Sequence, residues 1–401
     1  MADHIGRLVR ACTEGRIFRS LKIRADRARS ALSLMVHNAV IRFWMVPFKY
    51  SPILNRADAR PADRRRPLFL VLRHRYSFGG AENGNSNEEH ILSGPLKSAG
   101  IADTVEYYYD TDCVGGFHGD RKLIELAANV RPELMVLSSY NPARKQYPGI
   151  SVLQAIRTKL ETPVLVMWSD TTTQTAVKTA KRISGISDYN VMNESGYLAE
   201  CFPESSRYIQ LWASLDFSVF HPGSQCRDIP VSFLGTTNWY REVRQAYLDY
   251  LKIQEIPVHQ AGGKDDPLTL DQYADIIRRS KISINFSHSV GDTHQLKGRV
   301  FEILFSGTFM LESENLETPK FFTPMVDYVP FSSKEDLAEK VNYYLQHEDQ
   351  RKKIAQSGYH RAITEYNHNA FWNIIISNME DLGIMPRNVA RQTSEIGVAE
   401  Q

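Results

Sequence analysis

The sequence predicts an α/β protein of two doubly wound, Rossmann-like domains facing a cleft, preceded by a basic helical extension. Three observations carry this reading. Short apolar runs of strand length alternate with helical stretches, this alternation occurs twice in series of comparable size, and charge is split between the first 66 residues and the rest. Near-continuous apolar strands separated by helices imply parallel sheets covered on both faces. A chain of 401 residues is long enough for two or three domains. Its 42% hydrophobic and 23% charged residues exclude disordered and fibrous classes.

Residues 1–66 hold 15 Lys and Arg against 5 Asp and Glu, a net +10, and the remainder holds 33 against 41, a net −8. In this arm Leu21, Ala25, Ala28, Leu32, Met35 and Ala39 fall on one helical face, flanked by Arg24, Arg27 and Arg29. Such a helix docks on the body or a second subunit, or lies on an anionic bilayer surface. Nucleic acid is not an expected partner. The stretch 31–48 is interrupted by His37, Asn38 and Arg42, too short and too polar for a confident span. No signal peptide is apparent. Cys12, Cys113, Cys201 and Cys226 are scattered without a CxxC pair, which fits a reducing cytosol and neither a disulfide framework nor a structural zinc site. The expected location is cytoplasmic, at the inner membrane face if the arm binds lipid. ADARPADRRRP (57–67) reads as a linker.

Strands are expected at PLFLVLRH (67–74), TVEYYYD (104–110), RPELMVLSSY (131–140) and TPVLVMWSD (162–170), with helices near 97, 120–129 and 151–160. A second series begins at IPVSFLG (229–235) and continues with IPVHQAGG (256–263), KISINFSHS (281–289) and TFMLES (308–313). Amphipathic helices follow over 333–367, and a disordered tail is expected from about Arg387. The boundaries are 1–66 for the extension, 67–217 and 218–370 for the two domains, and 371–401 for a final helix and tail. A ligand is expected at the carboxyl ends of the strands.

QLKGRVFEILFSG (295–307) poses a specific question. Val300 to Phe305 reads as a buried helix ended by Gly307. Lys297 and Arg299 then stand at the positive end of the helix dipole, where cations cost a few tenths to about 1 kcal/mol each. An anion reverses that cost. A phosphate ester or diphosphate fits, met by helix amides and both cations, with Gly298 allowing close approach. Glu302, one turn in, accepts from a ribose diol or compensates the dipole. Solvated surface is the alternative for the two cations.

GRVFEILFSGTFMLESE, the following VDYVPF and the helical run after it resemble the group-1 glycosyltransferases of GT-B fold, closest to the bacterial branch with spore-maturation-type transferases. QLWASLDFSVFHP (210–222) is similar to the family's interdomain segment, with Asp216, Phe220 and Pro222 in place. VSFLGTTNWYREVR (231–244) is similar to its first nucleotide-domain strand, with Gly235 and then Arg241. FGGAEN (78–83), with Gly79 and Gly80, resembles its glycine loop. The resemblance covers about 205–370 well and does not reach the arm.

It implies a hexosyltransferase-like enzyme of glycan or glycoconjugate synthesis, moving a sugar from a nucleotide-diphosphate sugar to an acceptor hydroxyl. The acceptor is a glycan, a lipid-linked sugar or a protein. The donor is a co-substrate, and neither a cofactor nor a metal is expected. The donor side falls on Gly79, Gly80, Gly235, Arg241, Lys297, Gly298, Arg299 and Glu302. The chain departs from the family where many members carry a first glutamate, because eight positions before Glu302 stands His294. His294 or Asp292 is the candidate to take over its sugar contacts. Where the family often has a histidine after an N-terminal-domain strand, this chain has Trp168-Ser169-Asp170. Asp170 is the second catalytic candidate, with a helix-capping role equally open. Asp110 and Asp112 form a DxD pattern of the kind that holds a metal under a nucleotide, but nothing else supports that class. GGAENG (79–84) is not GxGxxG, which argues against a dinucleotide fold. The rivals are another GT-B sugar enzyme, such as an epimerase or a phosphorylase, and a degenerate nucleotide-sugar-binding scaffold.

Overall fold

The computed structural model describes residues 50–55, 64, 66–113, 117–168, 171, 174–193, 198, 207–215, 217–224, 226–237, 242–263, 267–288 and 294–386. The basic arm ahead of Tyr50 and the expected tail from Arg387 lie outside the described residues. Every strand pair in the two sheets is parallel.

The first sheet has β1 (Leu68–Arg73), β2 (Asp103–Tyr108), β3 (Leu134–Ser138), β4 (Val164–Met167), β5 (Tyr189–Met192) and β6 (Tyr208–Gln210), in the order β2-β1-β3-β4-β5-β6. Helices α1 (Phe117–Val130), α2 (Ile150–Lys159) and α3 (Gln174–Ile183) connect them. All five positions of β3 and the last five of β1 are buried, as strands covered on both faces require. The sequence reading did not anticipate β5 and β6, which are only four and three residues long. Tyr50 and Leu54, just before the linker, are buried in the same core as Leu70 and Ile124.

The second sheet has β7 (Ile229–Leu234), β8 (His259–Ala261), β9 (Ser280–Asn285), β10 (Phe309–Ser313) and β11 (Val329–Phe331), in the order β11-β10-β9-β7-β8. Between them run α4 (Glu242–Ile253), α5 (Leu270–Arg279) and α6 (Gly298–Phe305). Thr269 opens α5 with a capping box. Gly307, at φ 61°, ends α6 with its N–H on Leu304 O at 2.9 Å, as the sequence predicted. Arg227 holds that end, donating to the carbonyls of Ser306 and Gly307 and of Arg278 and Ser280 at 2.8–3.0 Å.

Helices α7 (Lys334–Gln346) and α8 (Glu348–Glu365) pack on this sheet, and α9 (His368–Asp381) returns to the first. Trp372 of α9 meets Phe69 of β1 at 6.2 Å, and Asn378 donates to the Tyr189 hydroxyl at 2.9 Å. One apolar cluster therefore runs through both sheets, joining Phe69, Val71, Trp212, Phe301, Phe305 and Trp372. Gln210 donates to Glu317 across the domains at 2.5 Å.

Candidate active site

Both sheets present strand carboxyl ends to one cleft of about 780 Å³. In each sheet the chain leaves its first strand in opposite directions, between β1 and β3 and between β7 and β9. Loops diverge at such switch points and leave room for a ligand. The C-terminal wall is Gly235 and Thr236 after β7, Gly262 and Gly263 after β8, the entry into α5, and the first turns of α6. Ser77, residues 83–87 and His90 form the opposite wall.

Lys297 is the extended N-cap residue of α6, no side chain caps the helix, and its first turn holds no acid. Lys297 Nζ donates to Gln295 Oε1 at 2.7 Å while lining the cleft. Arg299 reaches inward. Its Nη1 donates to Asn285 Oδ1 at 3.1 Å, its Nε to the Tyr273 hydroxyl at 3.3 Å, and its guanidinium lies 5.7 Å from the Phe233 ring centre. The Tyr273 hydroxyl in turn donates to Glu302 Oε2 at 2.5 Å. Burial opposes the charge on Arg299, but Tyr273 and Glu302 outweigh it and its pKa rises. Burial raises Glu302 against the pull of Tyr273 and Arg299. Arg299 is thus a fixed cation, held in place by side chains of β9 and α5.

One glycine makes space for this arrangement. Gly235 has φ 149°, and a Cβ there would stand 2.7 Å from Arg299 Nη2. Gly298 is not required for space, since an added Cβ would lie at an ordinary 3.5 Å from Glu302 Oε1. Behind Arg299, Asn285 Nδ2 donates to Glu312 Oε2 at 2.5 Å. Glu312 is fully buried, and burial pushes its pKa up to about 7.

On the N-terminal side, buried Glu88 accepts from His74 N at 2.6 Å and from Ser138 Oγ at 2.8 Å. His74 Nδ1 lies 3.4 Å from the same carboxylate, and Nε2 meets the Tyr147 hydroxyl at 3.1 Å. Burial pushes Glu88 up, but these bonds and the imidazole hold it below the usual carboxylate range. The cluster anchors the segment whose residues 83–87 face the cleft. Asp110 holds the same segment through the amides of Arg75 and Tyr76 at 2.9 Å each, and Asp112 pairs with Lys122 at 2.6 Å. Asp110 thus serves the loop, and Asp112 ties the end of β2 to α1. Among the described residues no group of three acidic, histidine or cysteine side chains could hold a metal ion.

The structure brings Gly235, Lys297, Gly298, Arg299 and Glu302 to one wall. Gly79 and Gly80 lie in tight turns of the N-terminal loop, which meets the cleft instead through Ser77 and residues 83–87. His294 pairs with His288, their rings 5.8 Å apart, and is not among the residues lining the cleft. Asp170, Asp216, Arg241 and Asp292 lie outside the described residues. The sequence reading missed Tyr273, Asn285, Glu312, Gly262 and Gly263. Asn285 and Glu312 did carry a signal, as polar residues in apolar strands near the carboxyl ends where a ligand belongs.

The fold and this cleft define a GT-B architecture. Residues 227–377 match the family described as glycosyl transferase-like. The chain is similar in structure to Anabaena HepE in complex with UDP and glucose, with TM-score 0.53 and 9% identity, covering 79% of this chain and 100% of that one. It is similar also to a glycosyltransferase from Rickettsia africae, with TM-score 0.52 and 12% identity over 80% and 99%. Sucrose-phosphate synthase of Thermosynechococcus elongatus gives TM-score 0.51 and 11% identity over 79% and 98%. No curated protein sequence matches the chain. Among the described residues no helix is long and apolar enough to cross a membrane.

Proposed function

We propose that the protein is a glycosyltransferase that moves a sugar from a nucleotide-diphosphate sugar to an acceptor hydroxyl. The observation that carries this is the start of α6, where Lys297 and Arg299 face the cleft at an uncapped helix N-terminus. The diphosphate sits against these cations and the helix amides, with Glu302 beside the ribose. Fixed positive charge then stabilises the departing nucleoside diphosphate, and the transfer needs no metal. The acceptor approaches from the wall of residues 77–90, so that the sugar lies between the domains. Motif spacing favours the spore-maturation-type branch. His294 and Asp170 are the candidates for contacts to the sugar and the acceptor.

The arm is the basis for a peripheral site of action at an anionic inner leaflet. Each basic residue near such a surface contributes about 1 kcal/mol, fading with salt.

The test is calorimetry with UDP, GDP and TDP, followed by turnover of the matching labelled nucleotide sugars. Lys297→Ala should lose roughly tenfold in affinity, one charge-assisted contact. Unchanged affinity in that variant, or no binding of any nucleotide, refutes the assignment.

A further inference from the structure

Behind the cleft wall lies a buried carboxyl for which the transfer reaction gives no role. Glu312 sits in β10 with no solvent exposure, opposite Asn285 in the parallel register of β9 and β10. Its Oε2 accepts from Asn285 Nδ2 at 2.5 Å, and its Oε1 accepts from Asn315 Nδ2 at 3.2 Å. The other end of the Asn285 amide accepts from Arg299 Nη1 at 3.1 Å. One primary amide therefore links a buried acid to the guanidinium that faces the cleft. The amide cannot rotate without losing both bonds, since turning it would set N–H against N–H and oxygen against oxygen.

The charges around this link are close to balanced before a ligand arrives. Lys297 and Arg299 stand against Glu302 and Glu312. Tyr273 faces Arg299 from α5, Tyr328 faces Glu312 from the approach to β11, and Glu314 follows just beyond the end of β10. Asp327, beside Tyr328, is paired with Arg361 of α8 at 3.0 Å. A diphosphate brought against Arg299 adds negative charge to a region of low dielectric, where two ionised carboxylates already lie close by. A proton on one carboxyl relieves that excess. Glu302 already receives the Tyr273 hydroxyl at 2.5 Å, whereas Glu312 is held only by Ser287 and the side-chain amides of Asn285 and Asn315, all neutral.

Resting on the nucleotide-sugar reading of the cleft, we propose that Glu312 takes up a proton when the donor binds, and that it acts through Asn285 as the positioning residue for Arg299. Its carboxyl titrates in the right range, because burial pushes it up to about 7. The proton comes from solvent and returns when the nucleoside diphosphate leaves. No covalent bond changes.

Calorimetry in two buffers of different ionisation enthalpy counts the protons. UDP-glucose, GDP-mannose and TDP-glucose are tried at pH 7.5, and the one that binds is used, since the diphosphate diester does not itself titrate near neutrality. Wild type should take up roughly half a proton per ligand, and its affinity should fall about threefold from pH 7 to pH 8 by linkage. Glu312→Gln keeps the shape and an acceptor for Asn285, and should bind with no proton uptake and a flat pH profile. Asn285→Asp, which breaks the link, should weaken binding while circular dichroism confirms the fold. Binding without uptake in wild type, or equal uptake in Glu312→Gln, overturns this inference alone. Failure of every nucleotide sugar to bind overturns it together with the reading of the cleft.

Discussion

Replacing Gly235 by alanine tests whether Arg299 must be where the structure puts it. At φ 149° any L residue is strained, and such positions cost about 1–3 kcal/mol. The added Cβ would also lie 2.7 Å from Arg299 Nη2 and 3.2 Å from its Cζ, so the guanidinium must shift. It cannot shift freely, because Asn285 and Tyr273 hold two of its nitrogens. Losing one charge-assisted contact to the diphosphate is worth about 1.5–3 kcal/mol, roughly tenfold or more in affinity. Gly262→Ala is the internal control. Gly262 also has positive φ, at 80°, but its nearest neighbour would be Gly235 N at an ordinary 3.5 Å. Both variants should lose stability in thermal unfolding, and only Gly235→Ala should lose the greater part of nucleotide-diphosphate affinity by calorimetry. Equal affinity losses, or none for Gly235→Ala, would show that Arg299 does not meet the ligand.

Three further outcomes are expected. Chelation by EDTA should leave transfer intact; loss of activity restored by manganese would return Asp110 and Asp112 to consideration. Arg227→Met should destabilise the protein by about 3 kcal/mol or more in urea unfolding, because carbonyls at the end of α6 lose a shared cationic donor. Removal of residues 1–49, stopping short of the buried Tyr50 and Leu54, should abolish sedimentation with anionic vesicles at low salt and leave nucleotide affinity unchanged. Vesicle indifference of the full chain, or a changed oligomeric mass after truncation, favours docking of the arm on protein.

Much of this was written in local pattern. Periodicity alone marks β1, β3, β7, β9 and α6, because strands buried on both faces must be apolar throughout and a buried helix nearly so. The two cations at the head of α6 and the glycine at its end were legible for the same reason: helix dipoles and left-handed caps depend on neighbours in sequence. Short β5 and β6 were not legible, since three or four residues carry too little pattern and their pairing is set by strands already in place. Tyr273, Asn285 and Glu312 meet Arg299 only because α5, β9 and β10 are brought to one switch point. Their partners lie 14 to 29 residues away in sequence. The sequence by itself determined the longer strands of both sheets and the cations and glycine that bound α6. The tertiary structure alone decided which side chains aim Arg299, because hydrogen bonds between strands and helices depend on register and packing that no local run of residues encodes.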